Sequence, residues 1–441
     1  MASDTPSTLR NLIIYSIYVR AHSPEGTFAG VTRDLERIKS MGVDFIWLMP
    51  IHPIGKVNKK GSLGCPYSIS DYRSVNPEYG NLDDFKELIQ KAHSIGLKVM
   101  IDVVYNHTAH DSVLVHEHPD FFHQDLDGNP VTTVPDWSDV IDLKHPNPGL
   151  TRYLIDSLKY WVSQGIDGFR CDVASLIPAE FWQQAREEIA ALKPGVVWLA
   201  ESVHAGFIEY RRKHDLIAIS DSELYSAFDL TYDYDIWPTL HATMRGASPI
   251  KNMLELYRFQ HAIYPQNFIK LHFVENHDQQ RVLDVVRDSE QAKAWVVFQS
   301  LNDGAWLIYA GQEAGEDHRP SLFEREPIQW NGYPYQSLLT QLNQLKKHSA
   351  VTEGQLFFLE ASPVVQMAWI GQDTQLFLII NLEHNTGRVA IDLPDGTYQD
   401  LISGSSVIVQ GGKTEIPSAA VILEVQHYAN TAQFHSQLLD G

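Results

Sequence analysis

Residues 168–173 read Gly168-Phe169-Arg170-Cys171-Asp172-Val173, an apolar run that ends on a charged pair. If this run is a strand, Arg170 and Asp172 lie on the same face, because strand side chains alternate with a period of two. The guanidinium can then keep the carboxylate charged and fix its direction. A carboxylate nucleophile needs both, although ion pairs of this kind are also common as purely structural features. The rest of the chain therefore has to decide between these two interpretations.

Short apolar runs alternate with helical segments on both sides of this stretch. The helical segments include one placed loosely at residues 206–212, and the eight runs predicted as strands are residues 12–19, 43–49, 97–104, 168–172, 196–200, 227–230, 268–274 and 306–310. Strands that alternate with helices indicate a parallel sheet of the α/β class. Eight repeats of the unit predict a closed (β/α)8 TIM barrel.

Two further regions do not follow the barrel pattern. About 40 residues rich in His, Asp and Pro separate the third strand from the next helix, and so long an irregular segment is usually functional. After residue 348 the pattern changes to short apolar runs split by turn residues, which is typical of an all-β domain. We therefore predict a barrel at 1–107 and 147–348, a short inserted domain at 108–146 over the active-site face, a C-terminal β domain at 349–428 and a tail at 429–441.

Composition narrows the class of partner. The 441-residue chain has 55 acidic and 34 basic residues, a formal net charge of -21. This acidic balance argues against nucleic acid and against an anionic membrane surface, and it favours a neutral substrate such as a sugar. The chain has two cysteines, no N-terminal secretory pattern and no apolar run of about 18 residues. We expect a cytoplasmic protein, and the sequence leaves its oligomeric state open.

Charged side chains stand where several predicted strands end. The third strand leads into His107, the fourth ends at Asp172, the fifth at Glu201, and the seventh leads into His277 and Asp278. In (β/α)8 enzymes these ends point into the active site. Acids that share a pocket acquire different pKa values, so that one can donate a proton while another stays ionised. This division of roles is what glycoside hydrolysis requires.

With these residues, the sequence resembles the α-amylase family of retaining glycoside hydrolases, glycoside hydrolase family 13. The resemblance covers nearly the whole chain, and the family's motifs occur in order as Asp102-Val-Val-Tyr-Asn-His107, Gly168-Phe-Arg-Cys-Asp172, Leu199-Ala-Glu201 and Phe273-Val-Glu-Asn-His-Asp278. The segment Gly64-Cys-Pro-Tyr67-Ser-Ile-Ser-Asp-Tyr72 resembles the part of the family that carries a stacking tyrosine. Each motif alone is weak, but the ordered set on predicted strands is a strong signal.

The resemblance implies catalytic roles for the three acids. Asp172 would be the nucleophile of a retaining mechanism, and Arg170 would keep it ionised. Glu201 would be the acid that protonates the leaving oxygen and then the base that activates water. Asp278 would stabilise the distorted sugar. The Asp172 and Glu201 carboxyl groups should then lie ~5–5.5 Å apart.

The resemblance also implies residues that hold the sugar. Tyr67 would stack on the sugar at the cleavage point, while His107 and His277 would hydrogen-bond to it. Trp137 in the inserted segment is a candidate sugar platform. Asp71 and Asp102 are expected to be structural. The cluster at residues 116–120 contains ligand-type residues without metal spacing, and we interpret it as part of a loop over the cleft.

The chain also departs from the family pattern. Many members have a lysine and a histidine three and four residues after the nucleophile, where this chain has Ser175 and Leu176. The backbone of that histidine commonly shares a calcium site with the residue that corresponds to Asn106. With the histidine replaced and the inserted segment short, we expect no required cofactor and assign no metal ligand, although calcium stays possible. The same change leaves the acceptor side of the cleft undefined.

The first hypothesis is therefore an α-glucan hydrolase that cleaves α-1,4 linkages in maltodextrins by double displacement. A transglycosylase or an exo-acting α-glucosidase would share all of these motifs. A non-catalytic sugar-binding protein on the same fold is a more distant alternative, and the intact set Asp172, Glu201 and Asp278 argues against it.

Overall fold

The computed structural model describes residues 5–426, so the predicted tail at 429–441 lies outside the described residues. Up to residue 310 it has ten strands: β1 Ile13–Ile17, β2 Phe45–Leu48, β3 Lys98–Val103, β4 His107–Ala109, β5 Val140–Asp142, β6 Gly168–Cys171, β7 Val197–Ala200, β8 Leu230–Tyr232, β9 Lys270–His272 and β10 Ala305–Tyr309. Eight of them, β1, β2, β3, β6, β7, β8, β9 and β10, pair in parallel as neighbours, and β10 pairs with β1. The predicted closed barrel is confirmed.

The helices follow the strands as the alternation predicts. They are α1 Val19–His22, α2 Phe28–Ser40, α3 Leu82–Ser94, α4 Val113–Glu117, α5 Pro148–Ser163, α6 Ala179–Leu192, α7 Ala205–Lys213, α8 Asp221–Leu224, α9 Trp237–Met244, α10 Ile250–Ile263, α11 Val282–Val286, α12 Ser289–Ser300, α13 Gln336–Leu345 and α14 Ser349–Thr352. Asn81 and Asn147 cap α3 and α5 through their side chains, as their sequence positions indicate. The loosely predicted helix at 206–212 is α7.

The sixth barrel strand differs from its predicted position. The sequence predicts this strand at residues 227–230, whereas β8 is Leu230–Tyr232. The backbone N–H groups of Ala227 and Phe228 both donate to the carbonyl of Leu224, at 2.9 and 3.0 Å. These two residues therefore continue the turn that ends α8 and cannot pair in the sheet. Their apolar side chains are buried all the same, and the Phe228 ring packs against Trp182 of α6 and Trp198 of β7.

The segment between β3 and α5 is organised by the short antiparallel pair β4 and β5. In this pair His107 faces Asp142 and Ala109 faces Val140. This segment, which the sequence indicates to be irregular, also contains α4 and a 3₁₀ turn at Pro119–Phe121. Because β4 begins four residues after β3 ends, the segment stays at the C-terminal edge of the barrel, over the strand ends.

The C-terminal region is all-β, as predicted. Its strands are β11 Gln355–Glu360, β12 Val365–Ile370, β13 Thr374–Ile380, β14 Arg388–Ala390, β15 Gly396–Gln399, β16 Ser406–Val409, β17 Lys413–Glu415 and β18 Ala420–Gln426. The main sheet has the order β11-β12-β13-β18, and all of its pairs are antiparallel. One face packs on the barrel core through Met367, Trp369 and Leu378, and the other has a small core of its own. Among the described residues, no helix is long and apolar enough to cross a membrane.

Candidate active site

The site is built around the Arg170 guanidinium, which is fully buried. Its Nη1 donates to Asp172 Oδ1 at 2.8 Å and to Asp102 Oδ1 at 2.9 Å. Its Nη2 lies 2.8 Å from Glu201 Oε1. Asp102 and Arg170 are paired in register on β3 and β6, and β7 leads into Glu201. Three neighbouring parallel strands therefore bring three carboxyl groups to one cation.

One arginine cannot neutralise three buried carboxylates, so the charges are distributed unequally. Burial raises the pKa of Asp172 to about 6, against the attraction of Arg170, and raises the pKa of Asp102 to about 7 in the same way. Burial raises the pKa of Glu201 further, to about 8; Arg170 opposes this shift and the negative charge of Asp172 adds to it. Near neutral pH, Asp172 is therefore mostly ionised and Glu201 mostly protonated.

Hydrogen-bond geometry explains why Glu201 holds its proton more tightly than Asp172. The contact from Arg170 to Asp172 is a charge-assisted hydrogen bond, which stabilises the anion. The contact from Nη2 to Glu201 has an ion-pair distance but lacks hydrogen-bond geometry, since Nη2 has no hydrogen-bond partner among residues 5–426. Arg170 therefore stabilises the charged form of Asp172 better than that of Glu201, as a nucleophile and a proton donor require.

Val173 fixes the other oxygen of Glu201 by means of an unusual backbone conformation. Its φ is 36°, in the left-handed region that a β-branched residue rarely adopts. In this conformation its N–H donates to Glu201 Oε2 at 2.7 Å. Strained backbone of this kind is typical of functional sites, where the surrounding structure holds it in place. The residue after the candidate nucleophile therefore orients the candidate acid.

A second group of side chains adjoins the acids. Tyr67 Oη lies 2.9 Å from Asp102 Oδ2 and 2.7 Å from His277 Nε2, and its ring is stacked on His277 with centroids 5.6 Å apart. His277 Nε2 is also 3.1 Å from Asp278 Oδ2. Against the cost of desolvation, the His277 and Arg170 charges lower the pKa of Asp278. The Asp278 side chain is 39% exposed, so it is the most open of the three predicted catalytic acids.

His107, in β4, also lies close to Asp172. Its Nε2 is 3.9 Å from Asp172 Oδ2, and burial lowers the pKa of His107 to about 4, which leaves the ring neutral. The ring packs against Trp137 of the inserted segment, with centroids 5.3 Å apart. A neutral imidazole can donate one hydrogen bond to a sugar hydroxyl without competing with Arg170 for the carboxylate.

These groups open onto a cleft of about 340 Å³. Asp172, Glu201, Asp278, Tyr67 and His107 line it, together with residues that the motifs do not mark: Lys60, Cys65, Trp137, Asp139, Val140, Val173, Leu322 and Phe323. The structure thus brings together every predicted site residue, but Arg170 and His277 lie behind the lining. Asp102, which is expected to be structural, supports Arg170 and Tyr67. Asp102 and Arg170 are paired between β3 and β6, and in the sequence both lie near the ends of the corresponding predicted strands. That position was the signal from which their contact could have been predicted.

Calcium, which the family resemblance implies near Asn106, does not fit the residues found there. A cavity of about 140 Å³ at this place is lined by Asn106, His123, Asp142, His145 and Arg211, among others. The lining contains two carboxylates, Asp142 and Asp215, and the Asp142 oxygens already accept hydrogen bonds from Thr132 and Thr133. Calcium needs six to eight oxygen ligands, and a buried arginine opposes it. Within residues 5–426 no group of three or more His, Cys, Asp or Glu residues could hold a metal ion.

Comparison with known proteins agrees with this geometry. A family model described as the catalytic domain of alpha amylase matches residues 5–126 and 135–352. A second model, described as the bacterial alpha amylase C-terminal domain, matches residues 359–423. The two matches together span the barrel and most of the C-terminal sheet.

Solved structures and curated proteins show the same likeness. The crystal structure of an alpha-amylase from Lactobacillus plantarum is 42% identical, with a TM-score of 0.92 over 95% of this chain and 100% of that chain. A noncanonic maltogenic alpha-amylase from Thermotoga neapolitana is 31% identical, with a TM-score of 0.85 over 96% of this chain and 100% of that chain. A maltogenic alpha-amylase from Bacillus acidopullulyticus is 26% identical over 423 residues, 88% of this chain and 68% of that protein.

Proposed function

Because the chain belongs to the α-amylase family of glycoside hydrolases, we propose that it hydrolyses α-1,4-linked glucans of the maltodextrin type with retention of configuration. The observation that carries this proposal is the Arg170 centre, where one cation holds Asp172 as an anion and leaves Glu201 protonated. A retaining glycosidase needs this pair of states before substrate binds. A sugar-binding protein without catalysis would have no use for it.

In the first step, Asp172 attacks the anomeric carbon of the sugar in the cleft. The bond from that carbon to the glycosidic oxygen breaks, and the oxygen takes the proton of Glu201 as the leaving chain departs. The product is a glycosyl ester on Asp172 and an ionised Glu201. Val173 N–H, which donates to Glu201 Oε2, keeps this carboxyl group directed as its charge changes.

In the second step, Glu201 takes a proton from water and the water oxygen attacks the same carbon. The ester bond to Asp172 breaks, and Glu201 is protonated again. Two inversions give the α-anomer as product. If a sugar hydroxyl replaces the water, the same step is transfer, which is why the motifs do not separate hydrolase from transglycosylase.

The remaining roles follow from position. Tyr67 and His107 line the cleft and would bind the sugar directly, and Asp278 would accept hydrogen bonds from its hydroxyls. His277 would act largely through its contacts with Tyr67 and Asp278. Arg170 is a positioning residue, because its guanidinium is shielded by the carboxylates. We propose that no step requires a metal ion, since the donor set near Asn106 does not suit calcium.

A reducing compartment is the proposed location. Both cysteines are free thiols, and Cys171 is buried in β6 directly beside Asp172. A thiol at that position serves a cytoplasmic enzyme better than a secreted one, in which free thiols are unusual. Fractionation of the native host, followed by detection of the protein with an antibody, tests this location.

The function is tested by following purified protein on maltoheptaose, with chromatography of products and NMR of the newly released anomer. We expect shorter maltooligosaccharides with α configuration at the new reducing end. Asp172→Asn and Glu201→Gln should each lower the rate by at least about 100-fold, the order expected for loss of a positioned catalytic group. Near-normal turnover by either variant, or release of the β-anomer, would contradict the mechanism. Products longer than the substrate would identify transfer.

A further inference from the structure

Three loops that line the cleft are tied to one another at one of its ends. The loop at residues 55–66 follows β2, residues 136–140 belong to the inserted segment, and residues 322–324 follow β10. Lys60 Nζ donates to the Asp136 carbonyl at 3.0 Å and lies 2.9 Å from Asp139 Oδ1. Lys60, Asp139 and Phe323 all line the cleft. We name this arrangement the loop clasp.

The third loop of the clasp, residues 322–324, is bonded to the residues that follow Lys60. Leu63 N–H donates to the Phe323 carbonyl at 3.0 Å, and Ser62 N–H donates to Glu324 Oε1 at 2.7 Å. The Ser62 hydroxyl bonds to the second oxygen of the same carboxylate. The loop at 55–66 is therefore bonded to both of its neighbours within four residues.

Two glycines show how closely the loop is fitted. A side chain on Gly61 would place its Cβ 2.5 Å from Phe323 Cβ, and Gly61 has a φ of +64°. A Cβ on Gly55 would lie 2.3 Å from Ala109 Cβ in β4. The loop backbone therefore packs directly against side chains of both neighbouring segments at these two positions, so the clasp is a fixed part of the cleft wall.

The clasp lies across the barrel from the acid, because its loops follow β2, β3 and β10, whereas Glu201 follows β7. The loop at 55–66 continues directly into Tyr67. Trp137, which lies between the two residues that Lys60 contacts, packs on His107. The Nε2 atom of His107 is in turn 3.9 Å from Asp172. The residues after Glu201 bond elsewhere, through Val203 N–H to Ser175 Oγ. The leaving chain takes its proton from Glu201, so the part of the glucan that stays bonded to Asp172 must extend towards the clasp.

We infer that the loop clasp closes the end of the cleft that receives the non-reducing end of the glucan, so that the enzyme removes short sugars from chain ends. This inference rests on the proposed function and specifies its substrate. A glucan cannot pass through a wall bonded across three loops, and only a free terminal sugar fits in front of it. Lys60 is the specificity-determining residue, because its side chain lines the cleft and makes two of the bonds from this loop to the inserted segment.

The test uses p-nitrophenyl maltoheptaoside with a free terminal glucose and the same compound with an ethylidene group across O4 and O6 of that glucose. We expect the wild type to cleave the blocked compound at least about tenfold more slowly, since steric exclusion at a built site discriminates strongly. Lys60→Ala should open the wall and raise the blocked-to-free rate ratio at least about fivefold. Lys56→Ala is the matched control, because Lys56 is an exposed lysine of the same loop outside the cleft lining.

Fragments are separated by chromatography, so cleavage anywhere in the chain is detected. Equal rates of the wild type on the two compounds would overturn the closed end while leaving the hydrolase assignment intact. A Lys60→Ala ratio that stays at the wild-type value, or that the Lys56→Ala control matches, would overturn the role of Lys60. Failure to cleave either compound would instead count against the proposed function.

Discussion

The Arg170 guanidinium assigns different tasks to two acids that differ by one methylene group. Asp172 receives a true hydrogen bond from Nη1, whereas Glu201 has an ion-pair contact with Nη2 and a hydrogen bond from Val173. In a buried site, a small difference in how the anion is stabilised shifts a pKa by whole units. The state of the resting enzyme thus follows from the direction of individual N–H groups.

At this scale the structure predicts a bell-shaped pH dependence. The rate constant kcat/KM should rise as Asp172 loses its proton, with a limb near its pKa of about 6, and fall as Glu201 loses its proton, with a limb near its pKa of about 8. Initial rates on maltoheptaose between pH 4 and pH 10, in buffers of constant ionic strength, measure both limbs.

Glu201→Gln supplies the control for that profile. With an aryl glycoside whose leaving group needs no proton, this variant should retain glycosylation and lose the alkaline limb, because no group remains to titrate there. An alkaline limb that survives the substitution would show that another group, such as Asp102 with its pKa of about 7, controls the profile.

At the scale of elements, α7 holds the inserted segment in place. Arg211 on α7 is 5% exposed and donates to the Ile217 carbonyl at 2.9 Å and to Thr133 Oγ1 at 3.3 Å. Thr133 in turn bonds to Asp142 of β5, which pairs with His107 in β4. A chain of contacts therefore leads from α7 to one of the residues that line the cleft.

Replacing Arg211 by Met should loosen this connection. Buried acceptors would lose their donor, at a cost of about 1–3 kcal/mol in the free energy of unfolding. Denaturant unfolding followed by tryptophan fluorescence measures the change. Lys213→Met is the matched control on the same helix, since its side chain is 69% exposed and should leave stability nearly unchanged.

The same element predicts the response to chelators. If Arg211 takes the place of the calcium ion that the family resemblance implies near Asn106, this protein needs no calcium. Dialysis against EDTA should then leave both the unfolding midpoint and the rate on maltoheptaose unchanged. Loss of activity in EDTA that calcium restores would refute this view of the inserted segment.

At the scale of the whole molecule, the barrel and the C-terminal sheet share one hydrophobic core. Trp369 on β12 is 1% exposed, belongs to the same apolar cluster as the barrel, and donates from Nε1 to the Leu301 carbonyl at 2.8 Å. Arg10, near the start of the described chain, donates to carbonyls at Val351, Thr352 and Gly354. The C-terminal region therefore braces the barrel.

This continuity predicts a single unfolding transition. Trp369→Ala should lower stability by about 3–5 kcal/mol, the usual cost of removing a large aromatic side chain from a core. Calorimetry should show one peak that shifts as a whole. Ile408→Ala is the control in the same domain, because Ile408 is 62% exposed. Two separate peaks, with only one shifted by Trp369→Ala, would show that the domains are independent.

The sequence by itself determined the barrel, the order of its strands and the acids at their ends. Those features are local: periodicity sets each strand, and parallel strands that all end at one face bring their terminal residues together. The same locality explains the misplaced sixth strand, where residues 227 and 228 are apolar enough for a strand but are used by a helical turn.

Only the tertiary structure decided how the acids differ and what bounds the cleft. Asp102 reaches Arg170 across 68 residues of sequence, and the loop clasp joins segments that are 76 and 262 residues apart. Neither pairing leaves a periodic signal, because each depends on where whole loops are placed by the barrel. The motifs were therefore enough to predict the chemistry of the site. The pKa order of its acids and the closed end of its cleft could be inferred only from the tertiary structure.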